Sequence, residues 1–118
     1  MPWTTLMSAL LCVVVLHAQP QAKTVNELKA FYASNCVRCH GADGSAQGPN
    51  GKKLGGRDFT DAGIMAKVSD GTLVKTIQKG IFFGVVMPPF KKRISESETQ
   101  ALVMEILRKA EKGKVIAP

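Results

Sequence analysis

Acidic side chains are scarce in this chain. Nine Asp and Glu stand against 16 Lys and Arg, giving a formal net charge of +7, and every charged residue lies at or after Lys23. That imbalance either serves solubility or suits an anionic partner reached by electrostatic steering. It does not point to nucleic acid, because the basic residues form no helical stripe and are not interleaved with aromatics. Long apolar runs are also missing. The longest, Leu6 to Leu16, has 11 residues, whereas a membrane-spanning helix needs about 20. No stretch alternates apolar and polar residues as a half-buried strand does, so no sheet is expected. Repeats, linkers and low-complexity segments are absent. Cysteine is rare, with three in 118 residues.

The short apolar run has the length of a signal-peptide core. The chain turns polar at His17-Ala18-Gln19-Pro20-Gln21, and cleavage after Ala18 is expected. The segment Met1 to Thr5 lacks the Lys or Arg usual in such a leader. The reading is a leader over residues 1–18 and one domain over 19–118, exported to the periplasm of a bacterium. An uncleaved anchor is the alternative. About 100 residues make one small domain with a thin hydrophobic core.

Two of the three cysteines fall in Cys36-Val37-Arg38-Cys39-His40. Two thiols three positions apart, followed at once by histidine, form the attachment motif of c-type haem. Each thiol adds to one vinyl group of the ring, and His40 is then held beneath the iron as the proximal axial ligand. Two other readings of Cys-x-x-Cys are open, half of a zinc site and a redox dithiol. A zinc site needs two further soft ligands, and beyond the motif only Cys12 and His17 offer them, both inside the leader. A dithiol of the thioredoxin kind needs an α/β pattern that this sequence lacks. With haem in place the cofactor becomes much of the core, and the apo-protein should fold poorly.

Helix signals place the motif. Thr24-Val25-Asn26-Glu27 reads as a capping box opening a helix over Val25 to Ser34, with Leu28, Phe31 and Tyr32 on one face. Short helices are expected over Ala62 to Lys67 and Gly71 to Lys79, the second with Asp70 as N-cap and Gly80 as its stop. Ser95-Glu96-Ser97-Glu98 is a second capping box, opening a helix that should run to about Lys112 and carry Leu102, Val103, Ile106 and Leu107. A glycine-rich loop spans Gly41 to Gly56.

Among the five methionines, Met87 stands out. It sits in an extended loop before Pro88 and Pro89, which remove backbone donors and bias Met87 away from helix. Its thioether is a soft, neutral ligand suited to the second axial position of a haem iron. The alternatives are core filling by Met87 and ligation by Met65.

These features together resemble a small bacterial monohaem class I cytochrome c. The likeness runs from about Glu27 to Ala110. It rests on Tyr32-Ala33-Ser34-Asn35-Cys36-Val37-Arg38-Cys39-His40-Gly41, on Gly48-Pro49, on Gly84-Val85-Val86-Met87-Pro88-Pro89-Phe90, and on a closing helix. The resemblance implies an all-α fold, three to five short helices with long loops wrapped around one covalently bound haem, over a haem core of about residues 24–112. It implies that the Pro49 carbonyl accepts from His40, and that Met87 is the distal ligand. Arg57 is a candidate partner for a haem propionate, since a guanidinium matches a carboxylate in a fork. Phe59, Leu73, Ile77, Phe82 and Phe90 are candidates to pack on the ring. The chain departs from the family at Leu28, where a small residue is usual, and in Leu102 to Ile106, where an aromatic is usual. Leu28 is expected to fill the space of the missing ring.

The function implied is a one-electron carrier and not an enzyme, because His40 and Met87 together leave no coordination position for a substrate. Lys52, Lys53, Lys91, Lys92 and Arg93 flank the expected ligand loops. They are expected to form a basic collar for an acidic patch on a terminal oxidase or periplasmic dehydrogenase. A monomer is expected. The competing classes are a haem protein with an open sixth position, acting as peroxidase or gas sensor, and a haem c subunit of a larger oxidoreductase.

Overall fold

The computed structural model describes residues 12–14 and 21–118. The expected leader, residues 1–18, lies outside the described residues apart from 12–14. Five helices follow in order: α1 Val25–Asn35, α2 Val37–His40, α3 Ala62–Ala66, α4 Asp70–Lys79 and α5 Glu96–Leu102. A π-helical turn, Val103–Leu107, continues α5. No strand forms among the described residues; two isolated bridges, Gln47–Lys53 and Ile81–Met87, close loops. The fold is all-α, as expected.

Local chemistry sets the helix ends. Thr24 Oγ1 accepts from Glu27 N at 3.2 Å, while Glu27 Oε1 accepts from Thr24 N at 3.2 Å. Ser95 and Glu98 repeat this reciprocal arrangement at the start of α5, at 2.8 and 3.1 Å. Each such cap contributes about 1 kcal/mol to a helix that short-range propensity alone would not hold. Asp61 caps α3 by accepting from Ile64 N at 3.0 Å. The cap of α4 is Ser69, not Asp70: Ser69 Oγ accepts from Thr72 N at 3.1 Å. Asp70 is then the first helical residue, where its charge meets the positive end of the helix dipole. Gly80 ends α4 with φ of +74°.

The last helix stops short of Lys112. Within the π-turn Arg108 N bonds back five residues to Val103 O at 2.9 Å, and that widened turn aims Arg108 at the α3–α4 connection. Its Nε meets Asp70 Oδ1 at 2.7 Å, Nη1 meets Met65 O at 2.7 Å, and Nη2 meets Val68 O at 2.6 Å. Three bonds to a planar guanidinium replace what a further turn of helix would have given.

The core forms where α1 packs against α5 and its π continuation. Leu28 and Tyr32 from α1 are completely buried among Leu102, Val103, Ile106 and Leu107. Leu28 thus occupies the helix crossing as a full-sized side chain, worth about 1.5–3 kcal/mol of apolar burial. Gln78 ties α4 to the start of α5, donating to Thr99 Oγ1 at 2.5 Å and to Ile94 O at 3.0 Å. That clasp fixes the exit of the segment carrying Met87.

Candidate haem site

The motif Cys36 to His40 occupies a single helical turn, α2, that the sequence pattern did not reveal. Cys36 breaks from α1 at φ −115°, and the new turn is held by His40 N to Cys36 O at 2.9 Å and Gly41 N to Val37 O at 2.9 Å. The buried Tyr32 hydroxyl donates to Gly41 O at 2.7 Å, locking the exit of the turn to α1. Burial pushes that phenol's pKa well up, with smaller contributions from Cys36 and Asp43. The two thiols are not joined to each other. Burial pushes the Cys36 thiol up to about 12; Cys39 beside it adds to the rise, and the Arg93 cation opposes it. Among the described residues no group of three His, Cys, Asp or Glu converges on a common point where a metal ion could sit.

His40 is held from two sides. Its Nδ1 lies 3.0 Å from Arg57 O, and its ring stacks on Phe59 with centroids 4.5 Å apart and planes 18° from parallel. A carbonyl can only accept, so Nδ1 carries the hydrogen and Nε2 keeps its lone pair. Burial lowers the imidazole's pKa, and the Arg57 carbonyl partly offsets that. The expected acceptor was Pro49, and this is corrected. Pro49 is exposed in a turn closed by Gly51 N to Gly48 O at 3.0 Å, while the carbonyl at His40 belongs to Arg57. The reason is Gly56. A Cβ there would stand 2.4 Å from Cys39 O and 2.6 Å from His40 Nδ1, so only glycine lets the strand of chain before Arg57 press against the motif. Arg57 therefore enters the site through its backbone, and its side chain is exposed.

Met87 lies on a clipped loop. Ile81 N donates to Met87 O at 2.9 Å and Met87 N to Ile81 O at 3.4 Å. Beyond the loop, Phe90 N bonds Ile77 O at 3.0 Å and Lys91 N bonds Gln78 O at 3.2 Å. Both ends of the loop are thus fastened to α4 or its C-terminus. Met87 itself is half-buried and packs against the core. Phe82 and Phe83 hold φ of +53° and +54°, a left-handed backbone that costs a non-glycine residue about 1–3 kcal/mol. Met65, the other candidate sulfur, is buried in α3 with its carbonyl bound to Arg108.

Of the residues expected to face a ring, Phe59, Leu73, Ile77 and Phe90 are buried, and Phe82 is exposed. Lys52, Lys53, Lys91 and Lys92 are exposed. Arg93 differs from them: its guanidinium lies over the rings of Phe31 at 5.5 Å and Phe90 at 5.7 Å. The close approaches at Gly56 and Gly80, the bond from the Tyr32 hydroxyl to Gly41 O and the stacking of Phe59 on His40 have no local sequence pattern, because they join distant segments.

Two unpaired thiols on one turn, followed by an imidazole with a free Nε2 lone pair, are a donor set that fits a covalently attached haem. Fold and donor set define a small helical c-type cytochrome. The family described as cytochrome C oxidase, cbb3-type, subunit III matches residues 23–104, and the chain belongs to this family of cytochrome c domains. It is 37% identical over 92 residues to cytochrome c6 of Leptolyngbya boryana, covering 72% of this chain and 91% of that one. It is 32% identical over 87 residues to the cbb3-type cytochrome c oxidase subunit FixP of Azorhizobium caulinodans, over 74% of this chain. This chain spans 27% of FixP and 65% of the cytochrome c6 of a Synechocystis species, to which it is 36% identical. Among solved structures, the KustC0563 c-type cytochrome aligns with a TM-score of 0.58 at 36% identity, over 71% of this chain and 96% of that one. The c-type cytochrome NirC aligns with a TM-score of 0.58 at 25% identity, over 84% and 100%. Haem c is the cofactor of this family.

Proposed function

We propose that the protein is a periplasmic one-electron carrier, its haem attached through Cys36 and Cys39 and ligated by His40 and Met87. The observation that carries this reading is the state of His40. With Nδ1 bound to Arg57 O at 3.0 Å and one face stacked on Phe59, the imidazole has a single free donor atom in a fixed direction. Met87 supplies a neutral thioether from a loop fastened at both ends. The haem supplies the one-electron couple. The chain's own residues hold both donors rigid, so little rearrangement accompanies a change of charge, and they bury the site's apolar surroundings. His40 and Met87 would together hold the iron and leave no position for a substrate, which is why a carrier is favoured over an enzyme. No helix among the described residues is long and apolar enough to cross a membrane.

The partner we propose is a redox protein with an acidic patch, a terminal oxidase or a periplasmic dehydrogenase, met by Lys52, Lys53, Lys91 and Lys92. A second reading, a haem c subunit of a larger oxidoreductase, is favoured by the matched family and by FixP.

The test is the visible spectrum of the ferric, haem-loaded protein. A weak red band reporting sulfur on iron, lost in Met87→Ala, is the expected result. A high-spin ferric form that takes up cyanide or peroxide readily would sink His/Met ligation and favour the peroxidase or gas-sensor reading. Migration of the native haem-bearing species separates a free carrier from a complex subunit.

A further inference from the structure

The loop that precedes Met87 is the longest exposed apolar stretch among the described residues. Ile81, Phe82, Phe83, Val85 and Val86 are 43%, 70%, 101%, 79% and 61% exposed. The sixth residue between Ile81 and Val86 is Gly84, so the stretch has no polar side chain. Phe83 is the tip, and its one aromatic neighbour among the described residues is Phe82, at 6.2 Å and 62°. An apolar patch of this kind on a soluble fold marks a surface that meets something else.

The surrounding charge says what that is. From Gly71 to Ser95 the sequence contains no Asp or Glu, while Lys75, Lys79, Lys91, Lys92 and Arg93 supply five positive charges. None of the five pairs with a carboxylate among the described residues. Lys79 and Lys91 stand at the two ends of the loop, with Lys92 and Arg93 next in sequence, and all four are exposed. Aromatic side chains at a protruding tip, with cations at its base, match the layering of a bilayer surface. There aromatic rings sit at headgroup level and Lys or Arg meet anionic phosphates.

The backbone sets how deep the tip can sit. Four loop N–H groups are bonded inside the loop: Ile81 N to Met87 O, Val85 N to Phe82 O, Val86 N to Ile81 O, and Met87 N to Ile81 O. Those of Phe82, Phe83 and Gly84, at the tip, have no backbone partner. At headgroup level phosphate and ester oxygens can accept them, whereas the hydrocarbon core would strand them.

We infer that the Ile81–Val86 loop inserts its Phe82–Phe83 tip into an anionic bilayer surface, with Lys79, Lys91 and Lys92 against the phosphates. The binding is peripheral and reversible. It holds the protein at the surface where membrane-bound partners are found and turns its search for them into one along a plane. The inference does not depend on the axial ligands, and its test does not read electron transfer.

The experiment is co-sedimentation of the haem-loaded protein with vesicles of phosphatidylcholine containing phosphatidylglycerol, against vesicles of phosphatidylcholine alone as the baseline. The variant is Phe82→Asn/Phe83→Asn, because asparagine accepts the left-handed backbone that both positions hold. It should keep the native visible spectrum and melt no lower than the wild type, while partitioning into the anionic vesicles falls at least tenfold. Lys91→Gln/Lys92→Gln should weaken binding similarly at low salt and little at high salt. Two results overturn the inference: no binding above the baseline, or binding that the asparagine variant retains and salt abolishes, which is charge alone. If the asparagine variant binds vesicles normally but is oxidised more slowly by a detergent-solubilised terminal oxidase, the tip is a protein-docking element and the lipid inference fails. A carrier that fails the spectral test above leaves this result unchanged.

Discussion

The carbonyl oxygen of Met87 lies 2.4 Å from where a Cβ on Gly80 would stand. That contact joins the end of α4 to the segment that delivers the thioether. Pro89 N and Pro88 C crowd the same point, at 2.8 and 3.0 Å, so the glycine is required by three backbone atoms as well as by its φ of +74°. Gly80→Ala must push the Met87 segment away from α4. The expected destabilisation is about 1–3 kcal/mol, with a corresponding fall in the thermal midpoint. Under the ligation proposed above, the sulfur-to-iron band of the ferric spectrum should weaken, because the loop carrying Met87 loses its fixed position. An alanine variant with unchanged stability and an unchanged band would show that the contact has no consequence for the ligand.

On the proximal side the two candidate acceptors for His40 give opposite expectations. Gly56→Ala places a methyl 2.6 Å from Nδ1 and must displace Arg57 O, the group 3.0 Å from that nitrogen. Pro49→Ala alters only an exposed turn. The midpoint potential and the proton resonance of the His40 Nδ1–H should shift in the Gly56 variant and stay in place in the Pro49 variant. A shift with Pro49→Ala and none with Gly56→Ala would restore Pro49 to the role the family resemblance implied.

How much of this was legible without coordinates follows from the range of each interaction. Both capping boxes and the Gly80 stop are written within a few adjacent residues and form as expected; the Cys36–His40 motif is as local, and the cytochrome c family it points to is the one the chain belongs to. The acceptor at His40 was not legible in this way, because Arg57 and His40 are brought together by the missing side chain of Gly56, and nothing local marks a glycine as a point of close approach. The premature end of the last helix escaped for a similar reason. A π-turn at Val103–Leu107 shows no breaker, and its payoff lies 38–43 residues away in Asp70, Val68 and Met65. The shift of the α4 cap from Asp70 to Ser69 is a neighbouring choice between two good caps. Asp70 is more useful one position in, where it can also meet Arg108.

The C-terminal tail gives a pH dependence with a definite sign. Asp43 accepts from Ser45 N at 2.9 Å and from Gly113 N at 2.8 Å, and Ile116 N bonds Ala42 O at 2.8 Å next to it. Desolvation raises the Asp43 carboxyl, but the bonds from Gly113 and Ser45 outweigh it and the pKa lies below the ordinary value. A depressed carboxyl stabilises the fold above its unfolded pKa of about 3.9 and loses that contribution as pH falls through its folded value. The tail should therefore loosen only under acid conditions. Asp43→Asn should lower the thermal midpoint at neutral pH and converge with the wild type at the acid end. Amide exchange at Gly113 and Ile116 should be fast in the variant at both.

Within the expected collar, Arg93 is set apart from the four lysines by its aromatic neighbours. The guanidinium covers Phe31 and Phe90, whose own rings meet edge to face at 5.5 Å and 80°. Such a cation over aromatic faces is worth about 0.5–1 kcal/mol where solvent reaches it, so this charge serves the fold. Lys52, Lys53, Lys91 and Lys92 are exposed and form no ion pair among the described residues, and at an exposed site their reach is set by screening over about 8–10 Å. Neutralising these four to Gln should leave stability nearly unchanged. It should slow oxidation of the ferrous protein by membranes bearing a terminal oxidase and flatten the dependence of that rate on ionic strength. Arg93→Gln should do the reverse, lowering the denaturant midpoint while moving the salt slope least. If Arg93→Gln alone flattens the slope, its charge acts on the partner after all. If the four lysine substitutions leave the slope intact, steering comes from elsewhere on this basic chain.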